Sequence, residues 1–291
     1  MTAPAPGTQE WSRLVTASKV AAILGLSPWE SPRSMWHRMR GELPTFEGNN
    51  ATRRGHYLEH GILAWWGDRH ADGADFREQD YRAKDGWAAS TPDGFVADDG
   101  HGNRAVVDAK TAASDDDWGE PGTDEAPAYY VAQAMWQMWT HDADVAYIAV
   151  LFGRPRLDFA EYIIPRDDEL IAQIVTKCRT FYDSLSQDEP PPLDDHPATY
   201  DAVRKLHPSI DRDAEVALTA DEAAEYIDAE AAYKAAETRA KVARSAVLER
   251  MGQARIAAHG KQIIARRQPN RYGVSLVPVA KFLNTESEPA A

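Results

Sequence analysis

The chain has 291 residues, 43% of them hydrophobic, and a formal net charge of −14. This is enough apolar material for one large core, or for a core and an appendage, and the chain is too acidic to coat nucleic acid by neutralising phosphates over its whole surface. The start of the chain has neither a basic nor an apolar leader pattern, and the longest apolar run, Val145 to Phe152, is far too short to span a bilayer. The lone Cys178 permits neither an internal disulfide nor a four-cysteine cluster, so a cytoplasmic protein without membrane contact and with a buried thiol is expected.

Ser18 to Leu24 reads as a short helix with Ser18 as its N-cap and Gly25 as its stop. Beyond the loop Ser27-Pro28-Trp29, Ser31-Pro32 has the signature of a second helix start, with Met35, Trp36 and Met39 as the apolar stripe and Gly41 at the end. Leu58, Ile62, Trp65 and Trp66 recur at helical spacing and put Glu59 beside the buried stripe of a third helix. Tyr81 and Trp87 flank the hairpin signal Lys84-Asp85-Gly86, and Gly94-Phe95-Val96 is separated from Val106-Val107 by the turn-rich segment 98–103, which predicts antiparallel strands. Tyr129 to Thr140 is helical, Val145–Phe152 and Leu157–Ile164 are strands, and Asp167–Ser186 returns to helix. The fold class is therefore α+β, a mixed central sheet flanked by helices, with Trp36, Trp65, Trp66, Trp136 and Trp139 on helical stripes that belong to the core.

Pro190-Pro191-Pro192 breaks the pattern, so 1–190 is read as one domain and 191–218 as a linker. From Thr219 an alanine-rich helix begins in which Tyr226, Tyr233, Ala240 and Val247 are seven apart, with Ala229, Ala236 and Ala243 three further on. That is a coiled-coil-like seam. It implies either a contact with another chain or a helix hairpin folded onto the first domain, the second being the simpler reading. Residues 256–264 read as a β-hairpin with basic residues beyond it, completing an appendage over 219–291.

The chemistry is carried by a split acidic constellation. Asp93 lies in Thr91-Pro92-Asp93-Gly94, Asp108-Ala109-Lys110 follows fifteen residues later, and Glu59 is well upstream. A strand sends residues i and i+2 to one face, so Asp108 and Lys110 point the same way. A carboxylate that can hold a divalent cation beside an ammonium that can orient water is the minimum equipment for metal-assisted hydrolysis of a phosphodiester.

With these residues in view, the chain resembles the YqaJ-like viral recombinases, relatives of lambda exonuclease within the PD-(D/E)XK nuclease superfamily. The resemblance runs over most of residues 11 to 185. It rests on Trp11 and Arg13 ahead of Thr16-Ala17-Ser18, on the phrase 22–29, on Gly55 and Glu59, on Thr91-Pro92-Asp93-Gly94 and Asp108-Ala109-Lys110, and on Tyr130-Val131-Ala132-Gln133. It implies a restriction-endonuclease-like core. Glu59, Asp93, Asp108 and the Ala109 carbonyl would hold one or two Mg2+ ions, replaceable by Mn2+, which oxygen ligands suit. Lys110 would be the catalytic lysine and Gln133 would close the site from the following helix. Ser18, Arg13 and Thr91 would line a 5′-phosphate pocket, with Arg54 as a further DNA contact, since hydroxyls and guanidinium groups suit phosphate oxygens. The implied activity is a 5′→3′ exonuclease on ends of double-stranded DNA that leaves 3′ tails for a single-strand annealing protein. The implied assembly is a homo-oligomer, a ring-like trimer. Thr91 stands where lambda exonuclease has serine, and the Arg13 to Ser18 spacing is shorter than in that enzyme.

Other readings compete at single positions. Asp93 in Pro-Asp-Gly is by itself a turn residue, and Asp108 with Lys110 could be an ion pair on a solvated sheet face. His56-Tyr57-Leu58-Glu59-His60 has the H-x-x-E-H pattern of a zinc metalloprotease helix, without the further downstream ligand that pattern needs. An endonuclease on the same fold, or a non-catalytic module that binds DNA ends or a recombination partner, are the alternatives in function. The acidic run Asp115-Asp116-Asp117 just after the Asp108 strand has no account in the sequence.

Overall fold

The computed structural model describes residues 4, 7–44, 48–70, 76–154, 156–271 and 273–279. It divides into two compact units, Met1–Ile210 and Asp211–Ala291. In chain order the first unit comprises α1 (Gln9–Ser12), β1 (Val15–Thr16), α2 (Ala17–Ile23), α3 (Pro32–Met39), α4 (Asn50–His70), β2 (Arg77–Glu78), β3 (Arg82–Lys84), β4 (Ala88–Ser90), β5 (Gly94–Val96), β6 (Ala105–Ala112), α5 (Ala128–His141), β7 (Val145–Phe152), β8 (Asp158–Pro165), α6 (Asp168–Ser184) and α7 (Pro197–Leu206). The second comprises α8 (Ala220–Met251), β9 (Ile256–His259), β10 (Gln262–Asn270) and β11 (Gly273–Pro278).

The main sheet of the first unit has the order β2-β5-β6-β7-β8. Pairing is antiparallel except between β6 and β7, which run parallel from Ala105↔Val145 to Ala112↔Phe152. Parallel neighbours need a crossover, and α5 supplies it. The Asp85-Gly86 hairpin lies outside this sheet: β3 and β4 form a small second sheet in which β4 also runs parallel to β1. Asp85 and Gly86 have φ of 54° and 75°, the left-handed pair that a two-residue hairpin turn requires.

β7 is buried along its whole length and serves two cores. Ala146, Ile148, Val150 and Phe152 join the cluster with α2, α3, α5 and α6, whereas Val145, Tyr147, Ala149 and Leu151 pack with Ile62, Leu63 and Trp66 of α4. The strand period of two thus sorts one apolar run onto both faces. Trp36, Trp66 and Trp136 are fully buried, and Trp65 and Trp139 are partly buried at the edges of the same clusters. Cys178 is buried and free, and burial pushes its thiol up to about 12. No described helix is long and apolar enough to cross a membrane.

Three local expectations change. Thr16 rather than Ser18 occupies the N-cap of α2; Ser18 is in the first turn with its hydroxyl 3.2 Å from that of Thr16. The segment read as a linker holds α7, whose Thr199 hydroxyl donates to Ser31 Oγ at the start of α3 at 2.6 Å. Pro197 at its first position is a helix-start signal, and the polar composition of the stretch masked the ten-residue helix that follows. The alanine-rich segment is one continuous helix of 32 residues, not a hairpin, closed at its start by a Thr219–Glu222 capping box. β9, β10 and β11 follow as a three-stranded antiparallel sheet.

Asp99 anchors the β5–β6 turn. It is fully buried, accepts the His101 and Asn103 backbone N–H groups at 2.9 and 3.2 Å, and takes the Tyr147 hydroxyl at 2.8 Å. Desolvation pushes its carboxyl up, but the Tyr147 hydroxyl and the N–H donors outweigh that and hold it below the usual range. A depressed folded pKa stabilises above the unfolded value and is lost as pH falls through the folded one. Asp99→Ala is therefore expected to cost about 1–3 kcal/mol at pH 7, with the gap to wild type narrowing below about pH 4, read by urea unfolding across pH.

Candidate active site

β6 carries Val106, Asp108 and Lys110 toward α5, and the apolar face ends where Asp108 begins. Asp108 is 6% exposed and each of its oxygens is held. Oδ1 accepts Gln137 Nε2 at 3.0 Å, and Oδ2 accepts Gln133 Nε2 at 2.8 Å and pairs with the Lys110 ammonium. Asp93 enters from the loop between β4 and β5, and its Oδ2 accepts the Ala109 N–H at 2.8 Å. Gly94 after it leaves room for the Phe76 ring: a Cβ there would stand 2.4 Å from that ring.

The electrostatics follow from three carboxylates and one cation. Burial, then the charge of Asp108, push Asp93 up to about 7; Lys110 pulls it down, and Glu59 adds to the rise. Desolvation pulls Lys110 down, but Asp108 and Asp93 outweigh it, so its net shift is upward and it is an ammonium at neutral pH. Its Nζ also lies 5.4 Å from the Tyr130 ring centroid. A donor in this state orients water or a phosphoryl oxygen; it does not accept a proton.

Glu59 stands apart from this pair. It lies on α4, which packs on the opposite face of the sheet, and it accepts Gln79 Nε2 at 2.8 Å. Gln79 adopts φ 54° and its own N–H donates to the Asp93 carbonyl at 3.2 Å, tying Glu59 to the Asp93 loop. Among the described residues no three His, Cys, Asp or Glu side chains are gathered to hold a metal ion, so the expected three-carboxylate set is present only as the Asp93–Asp108 pair with Glu59 influencing it through its charge. The H-x-x-E-H pattern is not assembled either: His56 lies 3.8 Å from Glu59, whereas His60 turns to Glu78 at 3.6 Å, and both imidazoles are largely exposed.

Ser18 and Thr91 do meet. With Trp11, Thr16, Ser90, Gln133 and Gln137 they line a pocket of about 130 Å³ that opens onto the Asp108 amides. Arg13 does not join them; it lines a separate pocket with Arg40, Glu42 and Tyr182. Arg54 lies on an exposed patch of α4 with Arg53 and Tyr57. Gln137 is the residue the sequence reading missed. It sits one turn after Gln133 on the same helix face, a spacing of four that signals a shared neighbour, and its Oε1 is buried with no partner. The acidic run Asp115–Asp117 is fully exposed, while Trp118 beside it is packed on Tyr130, Phe152 and Tyr162.

The site thus consists of a central strand that carries Asp-x-Lys, a second aspartate delivered from the adjoining loop and a glutamine from the crossover helix. Residues 10–144 match the model of the YqaJ-like viral recombinase domain. The uncharacterized protein YqaJ of Bacillus subtilis (strain 168) is 25% identical over 217 residues, 71% of this chain and 64% of the relative, so the match spans less than two thirds of that protein. Among solved structures, an alkaline exonuclease (LHK-Exo) from Laribacter hongkongensis is similar at 23% identity over 62% of this chain and 93% of its own, with a TM-score of 0.47. A phage related exonuclease from Haemophilus somnus 129PT is similar at 21% identity over 60% and 96%, with a TM-score of 0.46.

Proposed function

We propose that the first unit is a metal-dependent deoxyribonuclease, acting as a 5′→3′ exonuclease on ends of linear double-stranded DNA. The observation that carries this reading is the Asp93–Asp108–Lys110 cluster clamped by Gln133 on the central strand of the sheet. Two aspartates and a nearby glutamate against one ammonium leave an excess of negative charge, and oxygen donors suit Mg2+ or Mn2+. Asp93 and Asp108, with Glu59, would hold the metal, which supplies Lewis-acid activation of water and charge neutralisation at phosphate oxygens. Lys110 then presents N–H donors to the attacking water or the scissile phosphate, Gln133 keeps Asp108 in place, and Ser18 with Thr91 offer hydroxyls to a terminal phosphate. A 3′-tailed product would pass to a single-strand annealing protein, and several copies encircling the duplex would keep an acidic chain on DNA without tight binding.

The test is digestion of linear duplex, with and without a 5′ phosphate, beside a covalently closed circle in Mg2+. Loss of linear DNA alone, faster with the phosphate, is expected. Cutting of the circle would make it an endonuclease, and no cleavage in Mg2+ or Mn2+ would leave a DNA-end binding module. Gln137→Met keeps the size of the side chain and removes its donor. It is expected to raise the Mg2+ concentration for half-maximal rate by about 10-fold, the usual effect of losing a group that orients a metal ligand, with the melting temperature little changed. An unchanged Mg2+ dependence would remove Gln137 from the site.

A further inference from the structure

We propose that α8 pairs antiparallel with the α8 of a second copy of this chain. At 32 residues it is about 48 Å long, and only Met251 at its end is buried. Tyr226 and Tyr233, seven apart, are 65% and 66% exposed, so two large aromatics stand on one side of a helix with no covering element in its own unit. Alanine is spread around all sides of the helix, and the face is therefore marked by side-chain size.

Charge selects the partner. The first half, 220–233, carries Asp221, Glu222, Glu225, Asp228 and Glu230 and no basic residue; the second half, 234–251, carries Lys234, Arg239, Lys241, Arg244 and Arg250 against Glu237 and Glu249. The helix macrodipole favours acids in the first turn and bases in the last, but its influence fades within one turn. It leaves Glu225, Asp228, Glu230, Arg239 and Arg244 unexplained, while Lys241 also pairs with Glu237 one turn before it at 3.0 Å. Laid antiparallel on itself with Ala229 opposite Ala240, the helix puts Tyr226 opposite Ala243 and Tyr233 opposite Ala236, each large residue facing a small one. The same register brings Glu225 level with Arg244, Asp228 with Lys241 and Glu230 with Arg239. A parallel pair would oppose Tyr to Tyr and acid to acid. The inference is independent of the nuclease reading, since none of these residues lies in the first unit.

Single-cysteine substitutions in the full chain test it, with Cys178 as a buried internal control. Co-expressed Ala229→Cys and Ala240→Cys chains are expected to form a disulfide-linked heterodimer on mild oxidation, while either variant alone and the wild type do not. The helix positions are exposed or nearly so, and such replacements leave folding intact. Charge reversal of Glu225, Asp228 and Glu230 to lysine should abolish the heterodimer, and 0.5 M salt should weaken it. Self-crosslinking of Ala229→Cys would mean a parallel pair and overturn the proposal. So would the absence of any crosslink in the co-expressed pair, which would leave the face to a different protein or to this chain's own first unit.

Discussion

Lys110→Ala is expected to lower DNA cleavage by about 10²–10⁴-fold without lowering metal affinity. Among the described residues the Lys110 ammonium is the cation paired with Asp108, and its charge also acts on Asp93. Removing it takes away the donor that orients the reacting groups, yet leaves the carboxylates with a larger uncompensated charge, and a divalent cation should bind at least as well. Stabilisation of the variant by Mg2+ or Mn2+ in a thermal melt should equal or exceed that of the wild type. Asp108→Asn makes the contrast: it keeps the shape of the side chain and one of the two glutamine hydrogen bonds, its amide nitrogen replacing the other acceptor oxygen, and it removes a ligand charge, so both cleavage and metal-induced stabilisation should fall. Retained cleavage in Lys110→Ala, or a loss of metal stabilisation there as deep as in Asp108→Asn, would refute the division of roles.

Trp136→Ala should have the largest effect on stability, about 3–5 kcal/mol. Trp136 is 1% exposed, lies edge-on to Trp87 at 5.5 Å and against Trp139 at 4.9 Å, and donates its indole N–H to the Ala89 carbonyl at 3.1 Å. Its removal opens a cavity and strands that carbonyl, and both Ala89 and Trp136 belong to elements that present site residues: β4 leads to Asp93, and α5 bears Gln133 and Gln137. All nine tryptophans precede residue 140, so tryptophan fluorescence during urea unfolding follows the first unit alone. A midpoint shift equivalent to less than about 1 kcal/mol would show that the site tolerates α5 being loosened, against the packing described above.

Sequence alone determined what depends on near neighbours. Strand alternation put Asp108 and Lys110 on one face, helical spacing put Ile62 and Trp66 in the core, Asp85-Gly86 specified a hairpin turn, and Ser31-Pro32 specified a helix start. Each of these is decided within about one turn or one strand, where backbone geometry and side-chain chemistry leave few choices. Tertiary structure decided the rest. The parallel β6–β7 register, the docking of α7 on α3, the meeting of Ser18 with Thr91 and the exclusion of Arg13 and Arg54 from their pocket all join residues far apart in the chain. Gln137 and Gln79 became site residues only because a crossover helix and a left-handed turn bring them to Asp108 and Glu59. Such pairings rest on the packing of whole elements, and no local pattern encodes which buried amide will end beside which carboxylate.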